Sequence, residues 1–389
     1  MTKVYLIRHA EAEGNYYRRI QGHWDGRITA LGMRQIDALA ERMKDVHIDA
    51  LYSSDLSRTK TTAQAILKYH DLELHTDVRL REVCMGVWEG RSWGDVMHDD
   101  PVQYSNFSND PANWQVEGGE SWDHLQHRIY DAILDIAARH DGQTIAIVSH
   151  GTAIRALMCL LQGVGSSDIH TVRHGDNTCV TLLDVTKNGM EVEYACDNSH
   201  LSDELSTFSK QTWWRTGTDL GNLRFRPLDF ETESKFYLRC YEDAWRTSHG
   251  DTEGFVPGLY LISAKRWQAE NPGAVAVALE DDTPVGIIAL DTQRGADEGK
   301  GWIGFFYLLP EHRGKRYASQ LLGYATTLFT NLGRQAVCLH VSEDNLHAQG
   351  FYRHTGFVQV GETVGVGAPL LLMEKDLGRG RLPMPAEET

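Results

Sequence analysis

The first apolar run of this chain ends in two basic side chains. Residues 3–15 read KVYLIRHAEAEGN, so Arg8 and His9 directly follow the apolar stretch 4–7. A neutral imidazole attacks phosphorus as a nucleophile, and a guanidinium binds phosphate oxygens in pairs. Because ligands of open α/β sheets bind beyond the carboxyl ends of the strands, this placement indicates phosphoryl chemistry.

A second apolar run, in IAIVSHGTAIRALM, delivers another histidine in the same way. The predicted strand ends at Ser149, His150 follows, and Gly151 opens a helix. The first backbone N–H groups of a helix have no partner within it. Gly151 therefore marks a candidate anion site.

Two further segments supply a third cation and a carboxyl group. In LYSSDLSRTKTTAQAI, Arg58 falls in the first turn of a helix after a short strand. In RLREVCMGVWEG, Glu82 is the carboxyl group best placed by motif to protonate a leaving oxygen. Cations that reach one crevice from three strand ends predict a pocket for a phosphoryl group.

Strand-like and helix-like runs alternate up to about residue 199, which predicts an α/β domain with a mostly parallel sheet. Ser121 is the predicted N-cap of the last helix. The predicted strands are 3–8, 49–52, 144–149 and 178–185, and the predicted helices are 30–44, 56–69 and 122–139.

A second pattern begins after residues 200–221, which show no sustained periodicity and are interpreted as a linker. We therefore predict domains at 1–199 and 222–378 with a disordered tail at 379–389, and we expect the loops 91–120 and 248–273 to carry specificity. The predicted elements of the second domain are strands 223–230, 302–309, 335–341 and 368–375, a hairpin at 274–292, and helices 232–246, 315–331 and 346–355.

The ordered motifs LIRHAEAEGN, LYSSDLSRTKTTA, LREVCMGVWEG, GGES and VSHGTAIRAL resemble the histidine phosphatase superfamily, in the branch that contains cofactor-dependent phosphoglycerate mutases. The resemblance covers about residues 1–186 and implies a three-layer α/β fold that needs no metal. It implies that His9 is the phosphorylated nucleophile and that Glu82 is first the acid and then the base. The residues implied to hold the phosphoryl group are Arg8, Arg58 and His150, with help from Asn15 and Gln21.

Departures from the family pattern bear on the reaction. The segment after Glu82 lacks the long insertion and the tyrosine-containing motif of the mutases, which favours a phosphatase and leaves a mutase as the alternative. The tripeptide RHG at 173–175 copies the family motif, but it follows no apolar run and precedes a strand. We predict that His174 lies in a loop outside the site.

A second candidate site follows the predicted strand in FFYLLPEHRGKRYASQLLGYA. Pro310 ends the strand, and basic residues and a glycine precede a helix whose backbone N–H groups form a nest for a pyrophosphate. In HVSEDNLHAQGFYRHTGF, Asn345 is placed to cap the next helix, and Tyr352 lies about two turns along it.

These segments resemble the GNAT superfamily of N-acetyltransferases, an α+β fold with a mixed sheet, over about residues 222–377. The resemblance implies that acetyl-CoA binds, that the backbone of Leu308 pairs with its pantetheine arm, and that Tyr352 protonates the departing thiolate. Arg316 stands where the family has glycine, and the strand 302–309 holds no acidic residue, so the base stays unidentified. The remaining implied cofactor-binding residues are Arg313, Gly314, Lys315, Arg316, Tyr317, Ala318, Ser319 and Asn345.

The composition limits the partners. A chain of 389 residues is long enough for two domains, and its formal net charge of −16 disfavours nucleic acid and anionic membranes. Six scattered cysteines, and the lack of any segment of about 20 apolar residues, predict a cytoplasmic protein with reduced thiols.

We therefore interpret the chain as a bifunctional enzyme that hydrolyses a small phosphorylated substrate and acetylates an amine. The alternatives are a mutase-type phosphotransferase, or a phosphatase with a non-catalytic CoA-binding regulatory domain. Whether the protein forms a homo-oligomer stays open.

Overall fold

The computed structural model describes residues 1–211, 221–365 and 369–378. The predicted tail at 379–389 and residues 212–220 of the predicted linker lie outside these ranges. Within the described ranges, none of the helices combines the length and the apolar character that crossing a membrane requires.

The N-terminal domain is built on a six-stranded sheet with the order β3-β2-β4-β1-β5-β6. The pair β1–β4 is parallel and places Arg8 opposite Ser149, so the chain leaves both strands at the same edge. The strands are β1 (Thr2–Arg8), β2 (Ala50–Ser53), β3 (Leu74–Thr76), β4 (Thr144–Ser149), β5 (Val180–Thr186) and β6 (Gly189–Asp197).

Helices cover both faces of this sheet, as two separate apolar clusters show. Ser121 caps α6 as predicted, and its side chain accepts from the N–H of His124. The helices are α1 (Glu13–Tyr17), α2 (Ala30–Met43), α3 (Ser57–Leu67), α4 (Trp93–Asp99), α5 (Pro101–Asn109), α6 (Trp122–Ala138) and α7 (Gly151–Gln162). A short helix, α8 (Thr207–Lys210), lies within the segment that was interpreted as a linker.

The C-terminal domain contains a seven-stranded mixed sheet with the order β12-β13-β11-β10-β9-β8-β7. The strands are β7 (Arg224–Pro227), β8 (Val275–Glu280), β9 (Thr283–Asp291), β10 (Lys300–Leu308), β11 (Ala336–Ser342), β12 (Val358–Val364) and β13 (Pro369–Asp376). The helices are α9 (Ser234–His249), α10 (Pro257–Glu270), α11 (Tyr317–Asn331) and α12 (Leu346–His354).

Both segments that we expected to be loops are largely helical, so that expectation was wrong. Ser92 and Asp100 accept backbone N–H groups at the starts of α4 and α5, and Pro257 stands in the first turn of α10. These capping signals were present in the sequence, but weak apolar periodicity hid the helices. β12 was also missed; its residues are mostly exposed, including its three valines, so the strand has no buried face.

The two domains pack directly against each other. A side chain at Gly323 of α11 would overlap Tyr17 of α1, since its Cβ would lie 2.5 Å from the Cβ of Tyr17. Lys375 of β13 forms a 3.0 Å ion pair with Glu13, and both side chains are at most 14% exposed. The close approach and the buried pair fix the second domain on the first.

Candidate active sites

His9 and His150 lie next to each other at the carboxyl edge of the first sheet. Their ring centroids are 5.3 Å apart with the planes tilted by 59°. The backbone N–H of His9 donates to Ser149 O at 3.0 Å, which continues the pairing of β1 with β4. The structure therefore brings the two predicted histidines together.

The hydrogen bonds of His9 indicate which ring nitrogen is free to react. Nδ1 lies 2.7 Å from Ala10 O, and only a protonated Nδ1 can donate to a carbonyl. Burial lowers the pKa of His9 well below its usual value, and the charges of Arg58 and Arg8 lower it further. The imidazole is therefore neutral at pH 7, with its lone pair on Nε2.

His150 is fully buried among polar groups. Its Nδ1 accepts from Nε of Arg58 at 3.1 Å, so its Nε2 carries the proton and donates to Ser54 Oγ at 2.8 Å. Burial and the charge of Arg58 hold its pKa well below the usual value. Sequence reasoning missed Ser54, although it follows β2 at the same sheet edge.

Arg58 donates hydrogen bonds to backbone carbonyls of the loop that follows α1. Its Nη1 donates to Trp24 O at 3.0 Å and its Nη2 to Gly22 O at 2.7 Å. Asn15 and Gln21 belong to the same region, and Gln21 Nε2 donates to Asn15 Oδ1 at 3.3 Å. The two predicted substrate-binding amides are therefore adjacent.

Arg8 is the predicted cation with an unused donor. Its Nη1 donates to Gly175 O at 2.5 Å, while among the described residues its buried Nε has no hydrogen-bond partner. A Cβ at Gly151 would lie 3.0 Å from this Nε, so glycine leaves room for the guanidinium. A buried, unpaired N–H of a cation is costly unless a ligand accepts from it.

The loop around His174 contributes indirectly. As predicted, it is irregular, and the ring Nε2 of His174 lies 2.7 Å from Nη1 of Arg155 rather than beside His9. The next residue, Gly175, orients Arg8 through its carbonyl. No signal in the sequence points to a backbone carbonyl of this kind.

Glu82 caps the first turn of α7. Its Oε2 accepts from the N–H of Thr152 at 2.9 Å, and its Oε1 accepts from the N–H of Ala153 at 2.8 Å. The carboxylate thus lies beside His150 and uses two of the N–H groups that we expected to bind phosphate. Gly151 leaves room for the Arg8 guanidinium. Because Glu82 occupies two N–H groups, fewer backbone N–H groups at this helix start are open to an anion than the sequence indicated.

The second site is a cleft where two parallel strands separate. Pairing of β10 with β11 runs from Lys300–Ala336 to Ile303–Leu339, although β10 continues to Leu308. Backbone N–H and C=O groups beyond the last pair line a cavity of about 1440 Å³. Polar backbone in such an opening suits an extended, amide-containing ligand.

The start of α11 lines this cleft, and its backbone adopts a conformation that favours glycine. Arg316 has φ +64° and Gly314 has φ +78°, so both lie in the left-handed region. The left-handed conformation costs an L-residue roughly 1 kcal/mol, whereas glycine adopts it freely, and Arg316 adopts it nonetheless. Among the described residues, no side chain caps the helix start, and Ala318 and Ser319 line the cleft there.

The basic residues before α11 have acidic neighbours. Arg313 Nε donates to Leu308 O at 3.0 Å, which occupies a carbonyl expected to pair with pantetheine. Lys315 lies 3.8 Å from Glu280, and the Tyr317 hydroxyl donates to the same carboxylate. A ligand that pairs with the Leu308 carbonyl therefore shares this oxygen with the Arg313 side chain or displaces that side chain.

Asn345 and Tyr352 lie on the opposite wall. Asn345 Oδ1 accepts from the N–H of Ala348 at 3.1 Å and caps α12, as predicted. Tyr352 lines the cavity and is 7% exposed. Burial raises the pKa of Tyr352, so its phenol holds its proton at neutral pH.

Sequence reasoning missed His340, which lies on β11 one residue beyond the last pair with β10 and lines the cavity. Burial and the charge of Arg294 lower the pKa of His340, so its ring is neutral at pH 7. The described residues contain no group of three or more His, Cys, Asp or Glu side chains arranged to hold a metal ion.

Comparison with known proteins agrees with this geometry. Residues 4–198 match the model of the histidine phosphatase superfamily, branch 1. The chain belongs to this superfamily. Residues 234–357 match the acetyltransferase (GNAT) family, so the histidine phosphatase domain is followed by a GNAT domain in one chain.

Known relatives cover the histidine phosphatase domain. Phosphoserine phosphatase 1 of Hydrogenobacter thermophilus is 35% identical over 43% of this chain and 79% of its own length. A probable phosphoglycerate mutase, GpmB, of Proteus mirabilis is 34% identical over 52% of this chain and 96% of its own length. The structure of YhfR from Bacillus stearothermophilus, 30% identical, aligns with a TM-score of 0.50 over 52% of this chain and all of its own.

Proposed function

We propose that the chain is a bifunctional enzyme whose N-terminal domain hydrolyses phosphomonoesters through a phosphohistidine. The observation that carries this proposal is the neutral His9 ring, whose centroid lies 5.3 Å from that of His150, together with Arg8, whose buried Nε has no hydrogen-bond partner among the described residues. A nucleophile with a free lone pair and a cation with a free donor suit attack on an anionic phosphorus.

In the proposed first step, the Nε2 lone pair of His9 forms a bond to phosphorus while the bond from phosphorus to the ester oxygen breaks. Glu82 gives its proton to the departing oxygen. In the second step, water forms the new oxygen–phosphorus bond, the nitrogen–phosphorus bond breaks, and Glu82 takes the proton of the water. In this proposal Arg8, Arg58 and His150 hold the phosphoryl oxygens, with His150 Nε2 redirecting its N–H from Ser54 Oγ to the phosphate, and Asn15 and Gln21 complete the pocket.

Hydrolysis and phosphoryl transfer are distinguished by the final acceptor of the phosphoryl group, which is water in the first reaction and a second hydroxyl group in the other. We expect the protein to release inorganic phosphate from phosphoserine or another small phosphomonoester, because the segment after Glu82 lacks the insertion of the mutases. The measurement is phosphate release across a substrate panel, beside a coupled assay for interconversion of 2- and 3-phosphoglycerate with a bisphosphate primer. Primer-dependent interconversion with negligible phosphate release would favour the mutase instead.

We propose that the GNAT domain is an N-acetyltransferase. Acetyl-CoA supplies an activated acetyl group when it binds, and the groups placed to hold it are the separated strands, the uncapped start of α11 and Asn345. Tyr352 holds a proton at its hydroxyl facing the cleft. His340 is placed to accept the proton of an amine, since its ring is neutral and lines the cavity.

We expect Tyr352→Phe to lower the kcat of acetyl transfer by about 10²-fold while CoA affinity stays within about twofold, because a proton donor acts in the chemical step. The measurement is steady-state kinetics on an amine panel together with calorimetric titration of CoA. Tyr324→Phe is the matched control, since this tyrosine donates to Gly273 O outside the cleft. CoA binding without acetylation of any amine by the unaltered protein would favour a regulatory domain.

We also propose that the protein is located in the cytoplasm. All six cysteines are free thiols in the structure, as expected for a reducing compartment.

A further inference from the structure

We infer that the histidine phosphatase domain and the segment that follows it complete the acetyl-CoA cleft, with Arg34 of the domain and Lys210 of that segment binding the anionic nucleotide end of the cofactor. This inference rests on the proposed acetyltransferase function and adds a ligand contact from the other domain. We call the cavity between α11 and α12 the composite cleft, because its wall also includes Tyr16, Leu31, Arg34 and Lys210.

The wall of this cavity comes from both domains. Tyr16 belongs to α1, Leu31 and Arg34 to the first turns of α2, and Lys210 to the end of α8. Opposite them lie the start of α11 and the separated ends of β10 and β11. A ligand that fills the cavity therefore touches both domains.

The cleft is held in shape by the packing between the domains. The helix that begins at the composite cleft, α11, packs through Gly323 on Tyr17 of the phosphatase domain. At the cleft itself, the guanidinium of Arg316 donates to Lys210 O. Arg316, at the proposed pyrophosphate site, is thus hydrogen-bonded to the backbone of Lys210, the residue that we propose binds the cofactor.

The charge of the composite cleft suits a ligand with several phosphates. Arg313, Lys315 and Arg316 come from the GNAT domain, and Arg34 and Lys210 add two cations from the other side, in a chain of net charge −16. Arg313 and Lys315 already face Asp243 and Glu280, at 3.7 and 3.8 Å. CoA carries a 3′-phosphate besides its pyrophosphate, so it needs cations beyond those around the helix start.

Arg34 is available for such a contact. Its only ion pair among the described residues is with Glu204 at 3.9 Å, where the two side chains are 60% and 85% exposed. Exposed pairs of this length contribute little to stability, so a phosphate displaces the carboxylate at small cost. A phosphate is also the stronger acceptor, because it carries more charge and three oxygens.

The test compares CoA with 3′-dephospho-CoA by calorimetric titration of the full chain. We expect the double variant Arg34→Ala/Lys210→Ala to bind CoA at least about tenfold more weakly, because charge-assisted hydrogen bonds are lost. The unaltered protein should prefer CoA over 3′-dephospho-CoA, and the double variant should bind both alike. The matched control is Lys60→Ala/Lys187→Ala, which removes the same charge at exposed positions outside the cleft.

The outcomes separate this inference from the proposed function. If the unaltered protein binds no CoA, the acetyltransferase proposal fails and this inference fails with it. If the unaltered protein binds CoA and the double variant binds it equally well, only the inference fails. Equal weakening in the control pair would also overturn it, since the effect would then be one of overall charge. Retained phosphate release by the double variant checks that the chain is folded.

Discussion

A His9→Ala variant is expected to lose phosphomonoester hydrolysis by at least about 10⁴-fold in kcat, because the nucleophile that forms the covalent intermediate is absent. Alanine keeps the backbone N–H that donates to Ser149 O, so the sheet edge is retained. The measurement is phosphate release, together with acid-labile and alkali-stable labelling of the protein by a radioactive phosphomonoester. We expect both to vanish.

The matched control is His127→Ala, which removes an exposed imidazole from α6. It should leave hydrolysis and labelling within about twofold of the unaltered protein, since surface substitutions have small effects. Label that persists in His9→Ala would place the nucleophile elsewhere and would contradict the proposed mechanism.

A Glu82→Gln variant is expected to lower kcat by about 10²- to 10⁴-fold on alkyl phosphates, because an amide cannot give a proton to the alkoxide. The loss should be much smaller on p-nitrophenyl phosphate, whose leaving group departs without protonation. Steady-state kinetics on both substrates measure the difference between the two losses.

This comparison contains its own control for folding. Glu82 accepts from the N–H groups of Thr152 and Ala153, so the amide also disturbs the start of α7 and its neighbour His150. A structural disturbance would lower both activities in the same proportion. Equal losses on the two substrates would therefore exclude Glu82 as the proton donor and leave it the role of positioning α7.

The proximity of the two histidines at the candidate site could be predicted from sequence because both follow strands. A buried apolar run fixes where a strand lies, and parallel strands end at one edge of the sheet. His9 and His150 each come directly after such a run, so their proximity followed from topology alone. Ser54 follows the same rule, but a serine carries a weaker chemical signal.

The partners of these side chains could not be predicted in the same way. The Gly175 carbonyl that orients Arg8, and the α7 N–H groups that bind Glu82, are backbone atoms brought close by the fold. Almost every residue type has a backbone N–H and a carbonyl group, so no sequence motif identifies these partners. The helices α4, α5 and α10 were missed for a related reason, since they depend on caps and packing rather than on a strong apolar stripe.

The sequence by itself indicated the two families and the two sheets, and it nominated candidate reactive groups, since periodicity and motif order depend on local chemistry. Only the tertiary structure decided that Arg316 adopts the left-handed backbone of a glycine and that Lys210 lies beside it. The composite cleft also exists only after folding, because its wall joins residues more than a hundred positions apart in the chain. Contacts between residues so far apart depend on how the two folded domains pack, and no local sequence pattern specifies that packing.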